Sequence, residues 1–322
     1  MTDKKILEYD VIILGGGPAG ISAAIYAARG AAKTAIIDIS MLGGQPSNYL
    51  ELENYPGLGK IGGYDMMEKF EEHADMFNID KYPMQEISNI DLISEPKTVE
   101  TVDTIYKSKT IVIATGAQAR KLGIPGEKEF LGRGVSYCAV CDGAFYRDKV
   151  VAVVGGGNAA VEEGTYLTKF AKKVYIIHRR DTLRADKIAQ ERAFKNEKVE
   201  FIYDTVPLEI QGNDNVENLV VKNVKTGETT NLAVDGVFPY IGFTPNIDHI
   251  NAQVEQDEAG FIVTDETMQT SQKGVFAIGD VRTTPLRQVI TAAADGAVAG
   301  CYAVKYLEEA EEKAPVQILQ AE

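Results

Sequence analysis

The chain has 322 residues, enough for two domains at about 150 residues each, and two nucleotide domains plus a third would not fit. Its 45% hydrophobic and 25% charged composition is that of a folded globular protein, which excludes collagen, coiled coil and disorder. Thirty-three basic against 47 acidic side chains leave a net charge of −14, which argues against nucleic acid or an anionic membrane as partner.

The N-terminal MTDKKILEYD carries acids early and lacks a cleavable apolar core, so a soluble cytoplasmic protein is expected. The most apolar stretch, Val11 to Ala32, is broken by Gly15, Gly16, Gly17, Pro18 and Gly20. It reads as strand, turn and helix, not as a membrane span. Tyr9–Leu14 is the strand, and Ile21, Ala24, Ile25 and Ala28 mark one face of the helix. The next strand, Ala35–Ile37, ends at Asp38.

The pattern returns as Val150–Val154, then Gly155-Gly156-Gly157-Asn158-Ala159-Ala160, then a helix with Val161, Gly164, Leu167 and Phe170 on one face. Its following strand, Tyr175–Ile177, ends at His178, at the spacing that separates Asp38 from Gly15. Both copies fit strand, Gly-x-Gly-x-x-(Gly/Ala), helix. The first glycine makes a tight turn, the second admits a pyrophosphate to the backbone, and the third small residue packs helix on strand. The helix N-terminus then faces the phosphate charge.

The two copies differ beyond the second strand. Asp38 can accept hydrogen bonds from ribose hydroxyls, so the first site suits an unphosphorylated adenosine ribose, as in FAD or NAD. His178 stands beside Arg179 and Arg180, with Arg184 shortly after, a set suited to the 2′-phosphate of NADPH.

Each half then closes on an apolar strand and a glycine, Thr110–Gly116 and Gly236–Gly242, and Val275–Ile278 runs into Gly279-Asp280. The strand-like runs before Gly236 are separated by turns at Gln211–Asp214 and Lys225–Glu228. A terminal helix is expected with Ile290, Ala293, Ala297, Cys301 and Val304 on one face, with Cys301 in core packing. An acidic tail from Glu308 to Glu322, frayed by expectation, follows it.

Three cysteines cannot staple a chain of this length, but Cys138 and Cys141 form a Cys-x-x-Cys pair. A metal site needs four ligands, and His73, His178, His249 and Cys301 fall in no paired spacing. A dithiol/disulfide couple accounts for the pair better, with Asp142 as a candidate acid/base beside it. The same position also suits Asp142 as a helix N-cap or turn residue. NADPH delivers a hydride, a disulfide accepts two electrons, and FAD is the usual intermediary.

In GGGPAG (15–20), GGQ (43–45), ENYPG (53–57), ATGA (114–117), CAVCDG (138–143), GGGNAA (155–160), HRRDTLRA (178–185), AIGDV (277–281) and RQVITAAADGA (287–297) the chain resembles the low-molecular-weight thioredoxin reductases. The resemblance implies an α/β protein of two Rossmann-like, three-layer ββα domains. The NADPH domain, 118–245, is inserted into a discontinuous FAD domain, 1–117 and 246–322. It implies Gly15, Gly17, Pro18, Gly20 and Asp38 on the ADP half of FAD, with Gln45, Asn54, Thr115 and Gly116 along its middle and flavin end. Gly279 and Asp280 would meet the ribitol–pyrophosphate region, and Arg287, Gln288 and Val289 the flavin ring. Gly155, Gly157, Asn158, Ala160, His178, Arg179, Arg180 and Arg184 would hold NADPH.

Cys141 would face the flavin and Cys138 would attack the disulfide of thioredoxin or a thioredoxin-like protein, in a homodimer. The inserted domain would rotate about Gly116–Ala117 and Gly242–Phe243 so that cysteines and NADPH reach one flavin in turn. The chain departs from the family in Pro46–Leu50, in Ala144-Phe145 where two aromatics are common, and in Ala294-Asp295 where a glycine often precedes the acid. The nearest alternative is the reductase of a peroxiredoxin- or glutaredoxin-like partner.

Overall fold

A computed structural model describes residues 4–49, 52, 54–250 and 252–312. The chain divides into two compact units. One runs up to Ala117 and resumes at Thr244, and the other spans Gln118–Phe243.

The first unit begins with β1 (Lys5–Leu14), α1 (Pro18–Arg29) and β2 (Thr34–Ile37), then α2 (Gly63–Asp75) and β3 (Ile79–Tyr82). β4 (Ile87–Asp91), β5 (Lys97–Thr101) and β6 (Thr104–Ile113) follow, and β7 (Ala117–Ala119) leaves the unit. The second unit holds α3 (Ala139–Asp142), β8 (Val150–Val154), α4 (Asn158–Leu167), β9 (Lys173–Ile177), α5 (Lys187–Phe194) and β10 (Val199–Ile202). Next come β11 (Thr205–Gly212), β12 (Val216–Asn223), β13 (Thr229–Ala233) and β14 (Gly236–Pro239). β15 (Phe243–Pro245) pairs with β7 where the chain returns, and β16 (Val275–Ala277) and α6 (Val289–Glu312) complete the first unit.

In the first unit β3, β2, β1 and β6 lie side by side and parallel, and β16 joins the C-terminal end of β6. On that side the N-terminal part of β6 pairs instead with antiparallel β5, which pairs in turn with antiparallel β4. Val11, Ile12, Ile13 and Leu14 are wholly buried because β1 is covered on both faces. Val11 and Ile13 pack with α1 and α6, while Ile12 and Leu14 pack with Ile90, Val99, Tyr106 and Ile262. At about 1.5–3 kcal/mol per buried aliphatic side chain, this run anchors the turn that follows it.

The second unit repeats the plan with sheet order β10-β9-β8-β14 beside a separate antiparallel sheet β11-β12-β13. Val151 and Val153 face Ala160 and Leu167 of α4, and Ala152 and Val154 face Ile210, Leu219 and Val221. Each unit therefore has the three-layer ββα arrangement. No helix among the described residues is long and apolar enough to cross a membrane.

Two helix faces differ from the periodicity reading. α1 is buried nearly all round, Ala19, Ala23 and Ala27 included, because α2 and α6 also pack on it. α6 buries Ala292, Asp295, Ala299, Ala303 and Leu307, whereas Ile290 is 38% exposed and Cys301 is an exposed free thiol. Cys301 is thus not core packing. The helices meet through small residues, since a Cβ on Gly296 would lie 2.2 Å from the Ala19 carbonyl oxygen. Close approach turns the small side of α6 inward and its larger residues outward. A frayed tail was expected from Glu308, but residues 308–312 continue α6, and residues 313–322 lie outside the described residues.

Candidate functional site

In the first unit the carboxyl ends of β1, β2, β6 and β16 gather the predicted residues along one edge, where open parallel sheets bind ligands. β1 stops at Leu14, and α1 starts at Pro18 with Gly17 as an extended N-cap that supplies no side-chain bond. The first N–H groups of α1 are therefore left for a ligand anion. Gly20 must lack a side chain, because a Cβ there would sit 1.9 Å from the Gly15 carbonyl oxygen.

Asp38 is 9% exposed at the end of β2. Its Oδ2 accepts the Gly16 N–H at 2.6 Å, and its Oδ1 accepts the Ser40 N–H and hydroxyl at 2.8 and 2.9 Å. A carboxylate has about four acceptor sites, so this oriented group retains capacity for a ribose hydroxyl. The cradle and its carboxylate fit an adenosine diphosphate.

Further along the same edge, the Gln45 amide donates to the Ala117 carbonyl. Asn54 Nδ2 donates to Gln288 Oε1 at 2.8 Å. Thr115 donates its hydroxyl to the Asn246 carbonyl at 2.5 Å and accepts the Asn246 amide on its own carbonyl at 3.0 Å. Gly116 holds φ +70°. Asp280 lies in the 3₁₀ turn Gly279–Val281. Burial pushes its carboxyl up from the ordinary range, with Arg287 opposing and Asp295 adding to the rise. The Arg287 guanidinium stacks 4.0 Å over Phe261, next to Gln288 and to Val289 at the positive end of α6. Glu53 of the quoted motif lies outside the described residues.

In the second unit Gly157 is again an extended N-cap without a side-chain bond, and a Cβ there would meet nothing within 4 Å. Ala160 is wholly buried. The His178 imidazole lies under Gly156, with Nε2 buried and unpartnered among the described residues. Burial lowers its pKa, and Arg184, Arg180 and Arg179 push the same way. Those arginines are exposed and form no ion pair among the described residues. Their loop is clipped to the glycine turn. Arg184 N–H and Ala185 N–H donate to the Gly156 carbonyl at 2.7 and 3.1 Å. Asn158 Nδ2 donates to Asp186 Oδ2 at 2.8 Å, and Asp186 N–H returns a bond to Asn158 Oδ1 at 2.7 Å. Free guanidinium groups beside an uncapped helix start fit a phosphorylated dinucleotide.

The cysteine turn belongs to this second unit, and α3 packs on α4. Cys138 is disulfide-bonded; the Cys141 side chain lies outside the described ones. The Ser136 hydroxyl accepts the Cys138 N–H at 3.1 Å and donates to the Cys138 carbonyl at 3.2 Å. The Tyr240 hydroxyl accepts the Ala139 N–H at 2.8 Å. Asp142 occupies the N-cap of the turn Gly143–Tyr146, yet its side chain makes no capping bond, so the carboxyl is not consumed by the turn. Sequence reasoning missed Ser136, Tyr240, Ser40 and Asn246. Only Ser40, two residues after an aspartate, carried a local turn signal.

Glu163, on α4, was also missed. Burial, and secondarily Glu162, pushes its carboxyl from 4.5 up to about 7, and its Oε2 is buried without a partner among the described residues. A raised acid is a destabilising group that is silent below pH 4.5, grows between 4.5 and 7, and stays fully expressed above 7. Glu163→Gln is therefore expected to stabilise the protein at pH 8 by up to about 3 kcal/mol, with no change at pH 4.5. Thermal melts at the two pH values check this, and equal shifts at both would refute it.

Residues 9–296 match the pyridine nucleotide-disulphide oxidoreductase family. A thioredoxin reductase of Listeria innocua is 50% identical over 313 residues, 97% of each chain. A thioredoxin reductase of Bacillus subtilis is 46% identical over 97% of this chain and 98% of that one. Among solved structures, the thioredoxin reductase of Lactococcus lactis, in the FR conformation, is 47% identical with a TM-score of 0.85. It covers 94% of this chain and 99% of its own.

Proposed function

The chain belongs to the pyridine nucleotide-disulphide oxidoreductases, among the thioredoxin reductases, and we propose that it reduces the disulfide of thioredoxin at the expense of NADPH, using FAD and the couple Cys138–Cys141. One observation carries the reading. The cysteine turn and the arginine-bearing glycine turn share one unit, while the aspartate-bearing glycine turn stands in the other.

When bound, FAD supplies the two-electron link between hydride donor and disulfide. The unit up to Ala117 and from Thr244 takes FAD, and the unit Gln118–Phe243 takes NADPH. Arg179, Arg180 and Arg184 grip the 2′-phosphate, and the start of α4 meets the pyrophosphate. In the reduced state Cys138 attacks a sulfur of the thioredoxin disulfide and expels the other sulfur as thiolate. Cys141 then attacks Cys138 in the mixed disulfide, restoring the internal disulfide and freeing thioredoxin as a dithiol. Asp142 gives up and takes back the proton that this exchange requires. The exposed Ala144-Phe145 surface next to the turn contributes to docking. The enzyme works in the cytoplasm as a homodimer.

Cysteines and NADPH site ride on the same unit, so they take turns at the flavin. The turning points are the crossings β7 and β15, where Gly116 and Gly242 hold φ +70° and +116°. Alanine at both positions is expected to lower kcat by about threefold or more, since it strains conformations glycine adopts freely. Stopped-flow flavin reduction against steady-state turnover measures this; unchanged turnover would count against the hinge.

The function is tested by NADPH and NADH oxidation with a panel of thioredoxins, peroxiredoxin- and glutaredoxin-like proteins. Turnover with thioredoxin and NADPH is expected. Turnover only with a peroxiredoxin-linked protein would move the assignment to the alternative, and preference for NADH would remove the role of the arginines.

A further inference from the structure

We propose that Asp295, in the second turn of α6, is a positioning residue for FAD, holding the turn Gly279–Val281 in the shape that meets the dinucleotide by clamping Arg282. The proposal rests on the FAD assignment above and adds to it a residue that touches no cofactor.

Asp295 is 8% exposed. Its two oxygens receive the Arg282 fork, Nε to Oδ2 at 2.8 Å and Nη2 to Oδ1 at 3.0 Å. Oδ2 also accepts the Gly279 N–H at 3.1 Å. The free end of the guanidinium, Nη1, reaches the Thr283 carbonyl at 2.9 Å and the Thr264 hydroxyl at 3.3 Å. One carboxylate thus ties down residues before and after Asp280. The turn cannot hold itself, being three residues long with no side-chain cap at Ile278. Its fit is tight: Gly279 holds φ +68°, and a Cβ there would lie 3.0 Å from Ala19 and 3.6 Å from Ala292. These are first-turn residues of α1 and α6, so a small movement of the turn meets both helices.

The arrangement also carries an electrostatic burden. Asp295 adds to the upward push on the Asp280 carboxyl, and Arg287 opposes it. A buried ion pair is weak evidence for stability, because removing charges from water offsets most of their attraction, and its better attested use is to specify geometry. Bidentate pairing to a planar guanidinium defines direction as well as distance. The four groups Asp280, Asp295, Arg282 and Arg287 balance in charge, so loss of Asp295 leaves Arg282 free to move towards Asp280 and drag the turn with it.

The test uses the full-length holoprotein. Asp295→Asn keeps the shape and removes the charge; Arg282→Lys keeps the charge and removes the fork. FAD dissociation is read by recovery of free-flavin fluorescence, and the environment of bound flavin by its visible absorption and circular dichroism. Asp295→Asn is expected to weaken FAD by about tenfold or more and Arg282→Lys by severalfold, both with altered flavin spectra. KM for NADPH and kcat per bound flavin should stay near wild type. Unchanged FAD affinity and spectra in Asp295→Asn would overturn the proposal even if the variant melts lower. If Asn at 295 prevents folding, unchanged values in Arg282→Lys overturn it. Wild-type protein that binds no FAD would instead overturn the cofactor assignment itself.

Discussion

Serine at Cys138, or at Cys141, is expected to lower thioredoxin-dependent NADPH oxidation by at least about 10³-fold while leaving FAD bound. A hydroxyl cannot form the mixed disulfide, nor close the internal one, and no neighbouring group can replace it. The only other cysteine, Cys301, lies on α6 in the first unit. The cofactor should be untouched because the proposed FAD turn and the cysteine turn belong to different units, and Ser136 and Tyr240 brace the backbone of the cysteine turn without engaging the Cys138 sulfur. The two serine variants should also differ. With Cys138 retained, a covalent adduct to thioredoxin can form but not resolve; with Cys141 alone, attack on thioredoxin fails. Trapping the adduct by nonreducing electrophoresis separates the roles, and an adduct through Cys141 alone would reverse their assignment.

The second large effect is on coenzyme choice. Arg179→Ala combined with Arg180→Ala is expected to raise KM for NADPH by about 10²-fold, with kcat nearly unchanged and the parameters for NADH within about threefold. Hydrogen bonds from a guanidinium to a phosphate contribute about 1.5–3 kcal/mol each. Both side chains are exposed, so the lower end applies. The interaction is made equally in ground and transition states, which places the loss in KM. The loop should keep its shape, because it is fastened through Asn158–Asp186 and the Gly156 carbonyl, not through the arginines. Steady-state kinetics with both coenzymes decide the matter. An equal loss with NADH would mean the arginines shape the loop and do not read the phosphate.

The glycine turns could be read directly because each demand on them is local. A turn that approaches its own helix admits no Cβ at Gly20, and a helix start facing an anion needs a bare N-cap such as Gly17 or Gly157. The strand ends were equally legible, since Val11–Leu14 of β1 and Val151–Val154 of β8 are buried on both faces and show as unbroken apolar runs. Placing Asp38 and His178 then required only counting along the chain.

The faces of α6 were not legible. Periodicity marks the larger apolar residues, but α6 presents Ala and Gly to α1, so the stripe through Ile290 and Cys301 turns outward. Helical spacing says which residues share a face, and only the partner helix decides which face is buried.

The sequence by itself determined the two glycine turns, the opposite signs of the residues that follow them, and the paired cysteines, since each depends on neighbours within a few positions. The tertiary structure decided what braces those groups. Ser136 and Tyr240 at the cysteines, Asn158 with Asp186 at the arginine loop, Asp295 with Arg282 at the last turn, and the buried Glu163 are set by packing between distant segments. Hydrogen bonds and burial depend on distance in space, and no spacing along the chain encodes which remote carboxylate a guanidinium will meet.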